Sequence, residues 1–292
     1  MNRPAQGAVT QCLVPRYGGA MRRLPTCLLL LILSGILLAG FAYRGALADP
    51  VRREGQVELA GLAAPLRIAF LTDLHVTGPD VPPARLARLV TAVNAARPDL
   101  VLIAGDFVGD HRLATHAYTP AEIAAPLRGL RARLGTIAVL GNHDHAHDAG
   151  AIRHALEKAG VRVLVNRAVR VGRLTIAGAD DPFTGRDDLP ALTRAAAALG
   201  GPAVLLSHSP DVAADLSPRF PLVLAGHTHC GQVSLPLIGP PVTFARTGRR
   251  YACGLVREAG RTVITGAGLG TSMWPVRLGA PPDWWPVTLE PA

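Results

Sequence analysis

Lysine is almost absent from this chain: Lys158 is the only one among 292 residues, so the net charge of +9 is carried almost wholly by arginine. A basic surface of this kind favours phosphorylated or anionic-lipid partners. No basic run is interleaved with aromatics, which leaves nucleic-acid binding without a footing. Cysteine is scarce as well. Cys12, Cys27, Cys230 and Cys253 contain no C-x-x-C pair, which excludes a zinc ribbon and a thioredoxin-like redox site. Cys12 and Cys27 fall before or within an apolar segment. Cys230 and Cys253 remain for the globular part, free to pair in an oxidising compartment but too few to form a framework. No internal repeat or low-complexity tract is visible. Hydrophobic residues make up 49% of the chain and are spread along it, which excludes disorder and supplies a large core.

Charge is also missing from Leu24 to Tyr43, a run of twenty residues rich in Leu and Ile. At about 1.5 Å per residue such a helix just crosses a hydrocarbon layer about 30 Å thick. Arg22 and Arg23 precede it and Arg44 follows. Ala46-Leu47-Ala48 before Asp49 offers a signal-peptidase site. The length of the run and the intervening Arg44 favour an uncleaved anchor. Three arginines flank each side within twenty residues (Arg16, Arg22, Arg23; Arg44, Arg52, Arg53), so charge sets no orientation and the membrane side stays open. Met21 is an alternative start. The expected organisation is a tail over 1–23, the anchor or signal segment over 24–43, a linker over 44–64 and a catalytic domain over 65–292.

From Leu66 the sequence turns regular. LRIAFLT, DLVLIAG and TIAVLG are short, wholly apolar strands of the kind buried on both faces. Between them the spacing predicts a helix opening at Pro82-Pro83, with Leu86, Leu89, Val90 and Val93 on one face and Pro98 at its end. A second helix is predicted over Pro120 to Leu134. Repeated strand–helix–strand units indicate βαβ organisation. Further strands are predicted at 161–165, 168–171, 173–178, 203–207, 222–225 and 262–266, closely enough spaced for antiparallel or mixed sheet. The fold class is α/β, with two sheets packed together and helices outside.

Ligands of open α/β sheets bind beyond the carboxyl ends of the strands, and here those ends are rich in metal-binding residue types. LRIAFLT is followed by Asp73-Leu74-His75, DLVLIA by Gly105-Asp106, and TIAVL by Gly141-Asn142-His143-Asp144. PAVLLS is followed by His208 and PLVLA by Gly226-His227-Thr228-His229. A single histidine at a strand end is ordinary. Five successive ends carrying D-x-H, G-D, G-N-H-D, H and G-H-x-H are not five accidents.

These motifs, in this order, resemble the calcineurin-like metallophosphoesterase superfamily over Leu66 to about Leu289. AGHTHCGQVSLP followed by Gly266 to Arg277 is similar to its membrane-anchored bacterial branch, some of whose members act on phospholipids or on substrates of the UDP-2,3-diacylglucosamine type. That branch often carries Gly in place of Cys230 and a Pro-Glu pair near Pro282-Asp283. The resemblance implies a four-layer α-β-β-α sandwich of two mixed sheets behind an N-terminal transmembrane helix. It implies two divalent transition-metal ions, Mn, Fe or Zn with Mn favoured, one on Asp73, His75, Asp106 and His229. The other would lie on Asp106, Asn142, His208 and His227. It further implies phosphoester hydrolysis by a metal-activated hydroxide, with His143 as general acid and Asp144 hydrogen-bonded to its imidazole. The substrate expected is a phosphodiester or pyrophosphate on a lipid, held beside a single N-terminal anchor. The alternatives are a soluble phosphoester and, further off, a non-catalytic scaffold.

Gln232, His145 and Arg249 are the candidates for substrate contact, and His147 is a further pocket candidate. The loop from Leu235 to Tyr251, which combines apolar residues with Arg246, Arg249 and Arg250, is expected to border the pocket. His111, His116 and His154 read as loop or helix residues, and Cys230 as a small packed hydrophobe. Trp274, Trp284 and Trp285 read as core or hydrophobic-surface residues. The run His143-Asp144-His145-Ala146-His147-Asp148 superficially matches the H-x-H-x-D-H of metallo-β-lactamases, but it ends His-Asp and that fold leaves the remaining motifs without a task.

Overall fold

The computed structural model describes residues 20–258 and 260–292, with side chains from Thr26 onward. Cys12, Arg16 and most of the expected tail therefore lie outside the described residues, as do the side chains of Arg22 and Arg23. The chain divides into two compact units, Met1–Phe41 and Ala42–Ala292.

The apolar segment forms helix α1, Ala20–Leu47. Its stretch Thr26–Leu47 is long and apolar enough to cross a membrane. The helix outruns the expected anchor by a turn, because Ala42 and Ala46 are buried in the second unit. The expected linker is likewise structured. After a two-residue strand β1 (Val51–Arg52), residues Gly55–Leu59 form β2, with Gly55, Val57 and Leu59 facing inward.

Within the second unit, β3 (Leu66–Leu71), β5 (Leu100–Ala104), β7 (Thr136–Val139) and β8 (Val161–Val163) lie parallel in that order. The C-terminal strand β15 (Asp283–Pro291) returns antiparallel to β3 and pairs on its far side with β1 and β2, completing a seven-stranded sheet. The second sheet has six strands. Its parallel centre is β10 (Leu174–Gly178), β11 (Ala203–Leu206), β12 (Leu222–Ala225) and β14 (Arg261–Thr265). Its antiparallel edges are β9 (Arg167–Val171) and β13 (Gly254–Glu258). A two-stranded ribbon pairs β4 (Thr77–Gly78) with β6 (His116–Ala117).

Three apolar layers make this a four-layer α-β-β-α sandwich. Ile68, Phe70, Leu102 and Val139 of the first sheet meet Ile176, Val204, Leu206, Leu224 and Ile264 of the second. The other face of the first sheet packs on α2 (Pro83–Ala95), α3 (Pro120–Ala124) and α5 (Ala149–Lys158). That of the second packs on α6 (Leu189–Leu199). Strands covered on both faces need no polar alternation, which is why they read as continuous apolar runs.

Helix α2 begins with Pro83 in its first turn and buries Leu86, Leu89, Val90 and Val93, as expected. The helix predicted over 120–134 is shorter. Thr119 and Glu122 form a capping box, but α3 gives way at Ala125 to a 3-10 turn ending at Gly129. Pro126 supplies no amide hydrogen there and cannot continue an α-helix. Strands β13 and β15 complete the two sheets beyond the predicted set. Trp284 and Trp285 on β15 are core residues, whereas Trp274 is exposed.

Candidate metal centre

The carboxyl ends of β3, β5, β7, β11 and β12 converge where the two sheets face each other. The first sheet delivers Asp73, His75, Asp106 and Asn142, the last opening the short helix α4 (Asn142–Ala146). The second sheet delivers His208, His227 and His229. Five of these seven hold left-handed backbone: Asp73, His75, Asp106, His227 and His229, with φ between +40° and +71°. A non-glycine residue there costs on the order of 1 kcal/mol, and such costs concentrate at functional sites. Gly226 is required by close approach, since a Cβ would strike Thr72 and the Asp73 carboxylate.

The side chains form two pockets of donors sharing Asp106. On one side the Nε2 atoms of His75 and His229 lie 3.1 Å apart, and His229 Nε2 is 3.5 Å from Asp73 Oδ1. On the other, Asn142 Oδ1 lies 3.0 Å from His208 Nε2 and 2.9 Å from His227 Nδ1. Asp106 Oδ2 stands between, 3.5 Å from His75 Nε2 and 3.2 Å from His208 Nε2.

The outward ring nitrogens set the tautomers. His75 Nδ1 donates to the Val108 carbonyl at 3.0 Å, His208 Nδ1 to Ala104 at 2.8 Å and His227 Nε2 to Phe244 at 3.3 Å. Their inward nitrogens are therefore lone pairs pointed at other lone pairs and carboxylates. Without cations, only protons can relieve that arrangement. Burial opposes a charge on His208, but the charge and hydrogen bond of Asp106 outweigh it and lift its pKa to about 10. Burial, helped by Asp106, raises Asp73 to about 7. Burial also lowers His75 to about 3 and His227 to about 4, with His208 adding to the effect on His227. Buried carboxylates, ring nitrogens and an amide oxygen facing common centres form a donor set that fits a pair of divalent cations.

His143 sits beside this cluster with a different partner from the one expected. Its Nδ1 is 2.7 Å from Asp110 Oδ1, and its Nε2 is 3.3 Å from Ser272 Oγ. Burial opposes a charge on this imidazole, but the Asp110 hydrogen bond and the charge of Asp106 prevail and raise its pKa. The same hydrogen bond is the main reason Asp110 is held down at about 2. Asp144 does not touch the imidazole. It is fully buried and accepts from the amides of Phe107 (2.9 Å), Val108 (3.1 Å) and Gly141 (3.0 Å), clamping the Asp106 loop to the start of α4. At the third position of α4 its carboxylate points back to the free amides of the helix end, away from its neighbour's ring.

A cavity of about 290 Å³ opens over the centre, floored by Asp106, Asn142, His143, His227 and His229. Its walls are apolar: Phe183, Val233, Phe244, Met273, Trp274 and Val276. A larger groove of about 380 Å³ beside Arg52, Gln56, Arg67 and Glu290 contains no candidate ligand. Gln232 lines the cavity, but its amide is engaged with Ser272 N and the carbonyls of Trp274 and Val276. His145 instead binds Asp180 at 2.7 Å, His147 reaches Asp110 at 3.3 Å, and Arg249 donates to the Ile238 carbonyl at 2.7 Å, none of them lining the cavity. Arg246 and Arg250 are paired with Asp215 and Glu258.

Three further features escaped the sequence. Asp110 could have been found as a second carboxylate four residues after Asp106. His111 is buried on Asp80 at 2.7 Å. Arg277, fully buried, donates to the carbonyls of Ala267, Gly270 and Ala280, holding the loop that backs Asp73 and His75. Cys230 and Cys253 form a disulfide, so Cys230 is more than a packed hydrophobe.

A family model described as calcineurin-like phosphoesterase matches residues 66–231. The chain belongs to the calcineurin-like phosphoesterase family. It is 31% identical to the phosphodiesterase YaeI of Escherichia coli K12 over 76% of this chain and 81% of that one. It is also 31% identical to an uncharacterized metallophosphoesterase of Helicobacter pylori J99, over 85% and 67% respectively. A zebrafish transmembrane protein with a metallophosphoesterase domain is 32% identical over 68% of this chain, which spans about half that relative (47%). The chain is thus a metallophosphoesterase, a hydrolase of a dinuclear-metal-dependent family, and carries candidate ligands for such a pair.

Proposed function

We propose that this metallophosphoesterase cleaves a phosphodiester or pyrophosphate on a lipid-linked substrate, from a membrane to which α1 anchors it. The observation that carries the reading is the composition of the cavity: a polar floor for phosphate under walls of Phe183, Phe244, Met273, Trp274 and Val276. Apolar walls of that extent suit an acyl or prenyl chain and contribute little to a small soluble ester.

Asp73, His75, Asp106 and His229 would hold one divalent ion, and Asp106, Asn142, His208 and His227 the other, with manganese favoured over iron and zinc. When bound, such a pair supplies Lewis-acid polarisation of a phosphoryl oxygen and an activated water. The chain's own part is orientation and proton supply. His143 Nδ1–H donates a hydrogen bond to the Asp110 carboxylate, which turns Nε2 toward the cavity and stabilises the charged imidazole. Protonated His143 then delivers its Nε2 proton to the leaving oxygen. Ser272 Oγ steadies that edge of the ring, and Gln232, bonded to Ser272 N, holds the wall in place.

The test is a hydrolysis screen of the full chain in vesicles, with manganese, iron and zinc in turn. It would span lipid phosphodiesters, lipid pyrophosphates and the soluble diester bis(nitrophenyl) phosphate. A lipid ester is expected to show the highest kcat/KM. A higher value for the soluble diester would remove the lipid-linked reading while leaving the hydrolase in place.

A further inference from the structure

The lobe from Val233 to Ala252 carries apolar surface that the cavity does not use. Leu235 and Gly239 close a turn by exchanging hydrogen bonds (3.1 and 2.8 Å), and at its tip Leu237 is 108% exposed with φ at +63°. Such a position ordinarily holds Gly, Asn or Asp. Ile238 at 57% and Val242 at 51% exposure extend the patch, and none of the three lines the cavity.

The lobe is tied at its base and at its tip. The Cys230–Cys253 disulfide joins the residues flanking it, Thr228 Oγ1 donates to the Ala252 carbonyl at 2.7 Å, and Arg249 Nη1 reaches Ile238 O. The apolar tip is therefore presented by a cross-tied frame and has no need of substrate to hold it.

Chain continuity indicates what covers it. Met273, Trp274 and Val276 of the cavity wall lead directly to Arg277, whose amide donates to the Ala42 carbonyl at 2.9 Å, where α1 enters this unit. Arg85 fixes the same entry through the carbonyls of Ala46 and Ala48. Trp274 is thus three residues, a reach of roughly 10 Å, from Arg277, which is hydrogen-bonded to α1 five residues before that helix ends. Arg249, bound to a carbonyl rather than a carboxylate, adds a cation for anionic headgroups.

We propose that this disulfide-tied lobe seats Leu237, Ile238 and Val242 in the interfacial layer of an anionic bilayer, so that the cavity mouth opens onto the lipid surface. The proposal rests on the membrane reading above and adds a contact distinct from the anchor.

The full chain carrying Leu237→Trp would be reconstituted in phosphatidylcholine/phosphatidylglycerol vesicles with brominated acyl chains. The control is Leu199→Trp, an exposed site where α6 runs into the opposite ends of the strands. Quenching of the added fluorescence at least about threefold greater for Leu237→Trp is expected, because bromine quenches only within its own layer. Equal quenching at the two sites overturns the proposal. So does a disulfide between two chains that carry Leu237→Cys, found where the Leu237→Trp chain shows no bromolipid quenching, which would make the tip a self-association surface.

The paired change Leu237→Asp with Ile238→Asp gives an independent measure, since Asp tolerates the left-handed turn. Hydrolysis of a vesicle-held ester is expected to fall by about tenfold with the soluble diester unaffected. An equal fall for both would mark the tip as part of the site's own fold and overturn the proposal. Quenching without hydrolysis of any lipid ester would leave the surface standing and remove the lipid-substrate reading. Lipid hydrolysis without quenching would do the reverse.

Discussion

Two neighbouring residues, His143 and Asp144, stand in surroundings that give them different work. His143 faces the cavity with Asp110 behind it, whereas Asp144 spends both carboxylate oxygens on the amides of Phe107, Val108 and Gly141. Replacing His143 by Ala is expected to lower turnover by about two to four orders of magnitude while metal content holds, the usual range for losing a positioned general acid. Asp110→Asn keeps the ring but weakens its orientation and charge, so a smaller loss, about ten- to hundredfold, is expected. Both losses should shrink for a nitrophenyl leaving group, which needs little protonation. Asp144→Ala instead leaves buried amides unpaired, at a cost of about 3 kcal/mol, and should appear first as a lower Tm. Steady-state kinetics beside thermal unfolding of the three variants check this. Activity lost from Asp144→Ala with Tm unchanged would return Asp144 to the catalytic machinery.

At the scale of elements, the lobe that carries Phe244 is pinned by Asp211, whose carboxylate accepts from the amides of Arg246 (2.8 Å) and Thr247 (2.9 Å) and from Thr247 Oγ1 (2.8 Å). Partial burial works against the charge, but the Thr247 and Arg246 amides prevail and lower the Asp211 pKa. A carboxyl group lowered on folding contributes stability above its unfolded pKa of about 3.9 and loses it as pH falls through the folded value. Below about pH 4 the amides of Arg246 and Thr247 should therefore exchange faster, after correction for intrinsic rates. In Asp211→Asn that acid step should vanish. A step of the same size in both forms would assign the pinning elsewhere. Elements also show where sequence reading succeeds. The strands before Asp73, Asp106, Asn142, His208 and His227 were legible because doubly covered strands are apolar throughout. Strand β2 falls within the expected linker over 44–64, a stretch that mixes Arg, Gly, Ala and Pro and turns only Gly55, Val57 and Leu59 inward. The helix expected over Pro120 to Leu134 stops at Ala124, because Pro126 cannot continue it. Arg277 and the pairing of Cys230 with Cys253 depend on approach between distant segments, such as the 4.6 Å between the two cysteine Cα atoms, which no local pattern encodes.

For the whole molecule, the candidate centre lies across the two sheets, with Asp73, His75, Asp106 and Asn142 from one and His208, His227 and His229 from the other. Cations bound there would act as a clasp between the layers as well as reagents. The burial of so many facing acceptors is costly without them, as the raised pKa values of Asp73 and His208 indicate. Because the folded chain alone assembles these ligands, bound metal stabilises by mass action. Free ion at about a thousand times its Kd contributes about 4 kcal/mol, and in a domain of this size each kcal/mol moves Tm by about 2–4 °C. Stripping the metals with a chelator should therefore lower Tm by about 10 °C, and adding manganese should restore it. Asp106→Asn removes a charge shared by both halves, so it should cost occupancy of both ions and lose most of the Tm response. Asn142→Ala touches one half and should keep the other ion. Metal analysis of the purified full chain beside its melting curve decides the point. Two ions retained in Asp106→Asn, or a melting temperature indifferent to chelation, would mean that these residues do not clasp the sheets through a shared metal pair.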